Sequence, residues 1–245
     1  MKYSVIHLQE TASTNLFLRE LQQKERQPEY CVVVTDAQTA GKGQRGNSWE
    51  SENGKNLTFS MLLYPSHIMA ATSFILSQAV SLAVIEMFET VAPEFYIKWP
   101  NDIYWKEKKI GGILIENDLC GKFLDTSIVG IGLNINQQKF VSDAPNPVSL
   151  IHIAGREFSL SEWLDKVCKR IIFRYEQTKM ETGRQEIERC YMDRLFRKKG
   201  FFPFKDERGV FDARIKSVRL SGHLVLERTD GTENTYAFKE VEFLF

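Results

Sequence analysis

Cysteine and histidine are scarce in this 245-residue chain, with four of each, and neither kind is clustered. Cys31, Cys120, Cys168 and Cys190 form no C-x-x-C pair, and His7, His67, His152 and His223 are equally scattered, so no zinc cage is expected. No Ser-His-Asp or Cys-His signature stands out either. There is no charge excess: 32 Lys plus Arg balance 32 Asp plus Glu. No global field therefore draws the protein to nucleic acid or to an anionic bilayer, and any anion site must be local. The opening MKYSVIHLQE lacks a basic flank followed by an apolar stretch, and there is no uninterrupted apolar run of the ~18 residues needed to cross a bilayer. The expectation is a cytoplasmic protein with free thiols and no membrane or nucleic-acid partner.

What is present is an alternation of short strands and helices, with 43% hydrophobic residues to fill a core. A strand opens near Tyr3 to Leu8 and leads to TASTNLFLRELQQK. There Ser13 or Thr14 caps a helix with Leu16, Phe17, Leu18 and Leu21 on its apolar face. CVVVTD and LTFSMLLYP read as buried strands, the second stopped by Pro65. Residues 70 to 91 are apolar around most of the circumference and free of Gly and Pro, which predicts a core helix. From 94 to 134, strands and turns alternate through EFYIKW, PND, DIYW, KEKK, IGGILIEN and SIVGIGLNIN. SLSEWLDKVCKRIIFRYEQTK is amphipathic, capped by Ser159 or Ser161, and a further helix is expected to run through RLFRKK and stop at Gly200. That basic run also offers a contact for an acidic partner surface. Beyond Phe201 come short strands with S-G and D-G turns. The predicted architecture is α+β: a mixed sheet with packed helices over residues 1–199, then a small SH3-like β-barrel over 200–245.

Three stretches carry chemistry. GKGQRG, residues 41–46, has the G-x-G-x-x-G spacing of a dinucleotide-binding turn, and a strand precedes it, but NSWESENGKN and another strand follow where a helix is required. No G-K-[ST] occurs, which excludes a Walker loop. What remains is a glycine-rich, locally basic loop able to curl round an anion, with Trp49 at its end as a platform for a flat ligand. In KWPND, Pro100 sets a turn and the Asn-Asp pair bonds its own backbone, which leaves Lys98 either snorkelling or facing a ligand anion. GIGLNIN places glycines where a ligand or neighbouring strand approaches closely, and Asn134 in an apolar segment. Ser13-Thr14-Asn15 offers three small polar side chains where capping needs one.

Taken in order, STN, QTAGKGQRGNSW, KWPND with KKIGGILIE, and GIGLNIN, followed by a small β unit, resemble the biotin protein ligases along essentially the whole chain. The resemblance implies a catalytic domain similar in fold to the class II aminoacyl-tRNA synthetases. It also implies an activity, biotin–[acetyl-CoA-carboxylase] ligation. Biotin and MgATP yield biotinyl-5′-AMP and pyrophosphate, and the biotin then passes to one lysine of a biotin carboxyl carrier protein or domain. Carried over by position, Ser13, Thr14, Asn15 and Gln38 would hold the biotin ureido ring, and Gly111 and Gly112 would line its pocket. Gly41, Lys42, Gly43, Gln44 and Arg45 would close over the adenylate, with Trp49 walling the adenine. Lys109 would meet the biotin carboxylate and α-phosphate, Lys98, Asn101 and Asn134 would lie toward the nucleotide, and Asp102 toward the incoming lysine. Lys109, Lys42, Arg45 and Asp102 are thus the implied catalytic set, with Mg²⁺ accompanying ATP. Gln44 departs from the arginine at this place in a bacterial member. Repressor forms of the family carry an N-terminal helix-turn-helix, for which a motif starting at residue 13 leaves no space. A lipoate ligase and a non-catalytic biotin sensor are the competing expectations, and edge strands leave room for a homodimer.

Overall fold

The computed structural model describes residues 2–44, 48–141 and 146–245. Seven strands form one sheet: β1 Ser4–Thr11, β2 Cys31–Gln38, β3 Leu57–Leu63, β4 Phe95–Lys98, β5 Asp102–Trp105, β6 Lys108–Cys120 and β7 Phe123–Leu133. Their order is β1-β2-β3-β7-β6-β5-β4, with β1 parallel to β2 and all other pairs antiparallel. The alternation in LTFSMLL decides which face is which. Leu57, Phe59, Met61 and Leu63 enter the main core, whereas Leu62 packs with Leu18, Cys31, Val33 and Ile128 on the opposite face. Thr58 and Ser60 share that second face with Leu62. Across the ladder they pair with Gly132 and Gly130, which pair in turn with Gly112 and Leu114. A polar and glycine-rich floor thus lies across three adjacent strands.

The main core is capped by α2 Phe74–Phe88, α4 Leu160–Gln177 and α5 Glu181–Asp193, while α1 Thr14–Lys24 covers the other face and α3 Leu150–Ala154 follows β7. Ser13, not Thr14, caps α1: its Oγ accepts from the Leu16 N–H. Of the expected apolar face, Leu18 is buried but Leu16 is 42% exposed, so the contact with the sheet is narrow. The segment Ala70–Phe88 has a mean hydropathy of 1.5, long and apolar enough by composition to cross a membrane, and 67% of it is buried inside the fold as the core helix the sequence predicts. It begins as a 3-10 turn, Ala70–Thr72, before α2 starts at Phe74.

The expectation that the last helix runs through RLFRKK to Gly200 fails. α5 ends at Asp193, because Leu195 pairs alongside β4: Ile97 N–H donates to Arg194 O and Phe196 N–H to Ile97 O. Burial of Leu195 and Phe196 outweighs continuation of the helix. Several of the cations of this run are engaged internally. Arg194 bridges Glu89 at 3.1 Å, and Lys198 Nζ donates to the carbonyls of Ile215 and Lys216 at 3.0 and 3.2 Å.

The C-terminal strands, β8 Phe202–Asp206, β9 Gly209–Val218, β10 Leu224–Arg228, β11 Glu233–Tyr236 and β12 Glu242–Phe243, form an antiparallel sheet in the order β11-β10-β9-β8-β12 that fits an SH3-like unit. β8 contains Pro203, which masked it in the sequence. This sheet packs against the first. Trp99 Nε1–H donates to Gly222 O at 2.8 Å, the Trp99 and Phe238 rings meet edge-on at 6.2 Å, and Phe245 stacks on Tyr104 and Phe196 at 6.2 and 5.9 Å.

Candidate functional site

A cavity of about 570 Å³ opens where α1, the glycine loop, the β4–β5 turn and the C-terminal unit converge on the polar floor. Its inner end is a hydrogen-bonded chain of side chains in which Thr14, Asn15 and Ser60 are buried and Glu116 is partly exposed. Asn15 Nδ2 donates to Glu116 Oε2 at 2.8 Å, and Ser60 Oγ stands 2.6 Å from Asn15 Oδ1 and 2.7 Å from Thr14 Oγ1. An amide oxygen only accepts, so the Ser60 proton goes to Asn15. Thr14 is left to donate, to Ser60 or to Gln38 Oε1 at 3.2 Å. The Thr14 backbone N–H also donates to Gln38 Oε1, at 2.8 Å, which fixes that amide. A Cβ on Gly130 would stand 2.3 Å from Asn15 Oδ1, so only glycine admits this arrangement. Thr58 Oγ1, also on the floor, is buried with no partner among the described residues. Thr58, Ser60 and Glu116 escaped the sequence reading. The signal for Thr58 and Ser60 was polar residues recurring at every second position of an otherwise apolar strand, whereas Glu116 opens the polar run Glu116-Asn117-Asp118 and carried no such mark.

Toward the mouth stands an ion pair. Lys109 Nζ is 2.8 Å from Asp102 Oδ1, both only partly exposed. Simple alternation puts Lys109 on the same side as Gly111, the core side. The ladder instead slips between Ile103 and Tyr104: Tyr104 pairs with Lys109 while Ile103 pairs with Gly111, so Ile110 is the extra residue. That bulge turns Lys109 onto the cavity face that Asp102 and Gly112 share. Trp49 lies on Gly132, where a Cβ would be 2.3 Å from the indole, and its Nε1 is buried without a partner among the described residues. Lys109 Nζ sits 5.9 Å from the Trp49 ring centre.

Lys98 also faces the cavity. Its Nζ donates to Tyr104 Oη at 3.3 Å and stands 5.2, 5.5 and 5.1 Å from the ring centres of Tyr104, Phe243 and Phe245. Burial pushes its ammonium pKa below the ordinary lysine value, and Lys109 and Arg197 act in the same direction, against Asp102 and Glu242. Burial also raises the Tyr104 hydroxyl above its ordinary value.

Of the residues singled out in the sequence, Ser13, Thr14, Asn15, Gln38, Lys42, Gly43, Gln44, Trp49, Lys98, Asn101, Asp102, Lys109 and Gly112 line this one cavity. Lys42 bridges Ser48 and Trp49 N–H donates to Gly41 O, which pinches the loop base into a hairpin with Gly41 beneath it. Arg45 lies outside the described residues. Gly111 faces the core, where a Cβ would meet Leu133 at 2.7 Å. Asn134 stands behind the wall, donating to Val148 O at 3.1 Å. The C-terminal unit, expected as an appendage, supplies Phe238, Lys239, Val241, Glu242 and Phe243 to the wall.

Fold and site together define a small-molecule-binding α+β protein whose pocket joins a polar slot to a cationic mouth. The chain belongs to the biotin/lipoate A/B protein ligase family, whose sequence profile matches residues 6–134. The bifunctional ligase/repressor BirA of Bacillus subtilis is 29% identical over 216 residues, 86% of this chain and 65% of its own length. Its Escherichia coli counterpart is 34% identical over 125 residues, 51% of this chain and 37% of its own. The chain therefore spans less than two thirds of these relatives. The biotin protein ligase of Aquifex aeolicus, solved in complex with biotin and ATP, is 28% identical with a TM-score of 0.76, covering 98% of this chain and 97% of that one.

Proposed function

We propose that this chain is a biotin–protein ligase of the cytoplasm, residues 1–199 being its catalytic domain and 200–245 a second, SH3-like domain. It condenses biotin with MgATP to biotinyl-5′-AMP and pyrophosphate, then transfers biotin to a lysine of a carboxylase carrier domain. The observation that carries this reading is one cavity holding both a buried donor–acceptor chain and a paired lysine at its mouth. The near full-length likeness to a relative solved with biotin and ATP supports it.

In this reading Thr14, Ser60, Asn15 and Gln38 meet the ureido group, whose N–H and C=O groups need a partner of each kind. The biotin carboxylate is already ionised at neutral pH, so attack on the α-phosphorus requires suppression of anion repulsion rather than a base. Lys109, steadied by Asp102, supplies the charge between carboxylate and phosphate. Lys42 and Arg45 meet the nucleotide from the loop, Trp49 walls the base, and Asn101 and Lys98 border it. Mg²⁺ belongs to the nucleotide substrate. Among the described residues, no cluster of three His, Cys, Asp or Glu side chains would hold it separately. The loop excludes water from the anhydride.

Exchange of labelled pyrophosphate into ATP, measured separately with biotin, lipoate and octanoate, tests the reading. Exchange driven by biotin alone is expected. Exchange driven by lipoate would move the chain to the lipoate branch, and none at all would leave it a binder.

A further inference from the structure

Resting on that reading, we propose that Lys98 is the base that takes the proton from the incoming acceptor lysine. The acceptor amine arrives as an ammonium, with a pKa of about 10.4 in water, and must lose a proton before it can attack. Asp102 is engaged at 2.8 Å by Lys109, so that its near oxygen already has a partner. Lys98 is placed otherwise. It lines the same cavity, the rings of Tyr104, Phe243 and Phe245 surround it, Tyr104 through its hydroxyl as well, and among the described residues no carboxylate stands within ion-pairing distance of its nitrogen. The groups facing it are Tyr104 and Asp102 from β5, Lys109 from β6, Arg197 from the linker and Glu242 from β12. Burial, with the cations Lys109 and Arg197, favours its neutral amine. A neutral amine in a cavity is a proton acceptor.

The step balances without further reagents. The Lys98 nitrogen lone pair takes a proton from the acceptor ammonium. The freed amine forms a bond to the acyl carbon of the mixed anhydride, and the bond from that carbon to the phosphate oxygen breaks with its electron pair on AMP. The new amide nitrogen gives its surplus proton to the departing phosphate, and Lys98 returns its own to solvent. No step of the first half-reaction calls for this base, because the biotin carboxylate needs no deprotonation.

The test supplies preformed biotinyl-5′-AMP to the intact protein and compares two nucleophiles, a biotin carboxyl carrier domain and hydroxylamine. Hydroxylamine is already neutral at neutral pH. The variants Lys98→Arg, which keeps the charge but cannot accept a proton, and Lys98→Met are read over a range of pH, with thermal unfolding as a control for folding. Expected is a loss of about 100-fold in transfer to the carrier lysine at neutral pH. The loss should be recovered as pH rises toward the acceptor's own pKa, and hydroxylaminolysis should change far less. Equal losses with both nucleophiles, or an unshifted pH profile in Lys98→Arg, would overturn the assignment. A wild-type protein that transfers to neither nucleophile would instead overturn the ligase reading beneath it.

Discussion

At the scale of the residue, the site separates groups that recognise from groups that carry charge. Ser60→Ala removes the donor to Asn15 Oδ1 and leaves a buried acceptor unpaired, a change worth about 1–3 kcal/mol. We expect it to raise the KM for biotin roughly 10-fold or more in pyrophosphate exchange while kcat moves less, since in the proposed reading these side chains meet the ureido group and not the phosphate. Lys109→Ala should do the reverse, cutting the exchange rate by about 10²–10³-fold with the fold intact. Circular dichroism alongside the kinetics checks both. His67 offers a test of stability remote from the cavity. Its Nε2 meets Thr178 Oγ1 at 2.8 Å, and burial, with Lys179 and Arg184 nearby, lowers its pKa from the ordinary value of about 6.5. The unfolded chain therefore binds this proton first, and stability is full above pH ~6.5 and falls as pH drops below it. Thermal unfolding between pH 7 and 5 should show that loss, and His67→Gln should flatten it.

At the scale of the element, strand parity governs what each glycine does. Gly111 and Gly112 look interchangeable in the sequence, yet one faces Leu133 in the core and the other Asp102 and Lys109 in the cavity. Gly111→Ala should destabilise by about 1–3 kcal/mol, through a Cβ pressed to 2.7 Å from Leu133. Gly112→Ala meets nothing closer than 3.5 Å, so it should unfold normally and bind biotin and ATP more weakly. Calorimetric melting and titration separate the two. The same parity marks what was legible in the chain and what was not. The strands other than β8, the core helix and the motif residues could be read from period and spacing. The bulge at Ile110, which alone puts Lys109 on the cavity face, leaves no trace in composition or alternation. The polar positions of β3 were visible as Thr58 and Ser60, but Asn15 of α1, the partner of Ser60, lies 45 residues away along the chain, and Glu116 of β6, the partner of Asn15, lies 101 residues from Asn15.

At the scale of the whole molecule, the cavity is a joint product of two sheets. The second was legible as a run of short strands, but its docking on the first depends on long-range contacts such as Trp99 with Gly222 and Phe238, which spacing does not encode. Trp99→Phe keeps a ring and loses the Nε1–H bond, at a cost of about 1 kcal/mol. We expect a lower unfolding temperature and a raised KM for ATP, because Phe238 and Phe243 form part of the cavity wall. The position of ligand inside that wall is the central issue, and a crystal structure of the protein grown with biotin and ATP addresses it most directly. Biotinyl-5′-AMP should appear with its ureido group on Thr14, Ser60 and Gln38 and its phosphate against Lys109. An acid bound elsewhere, or a phosphate held away from Lys109, would contradict the site as built.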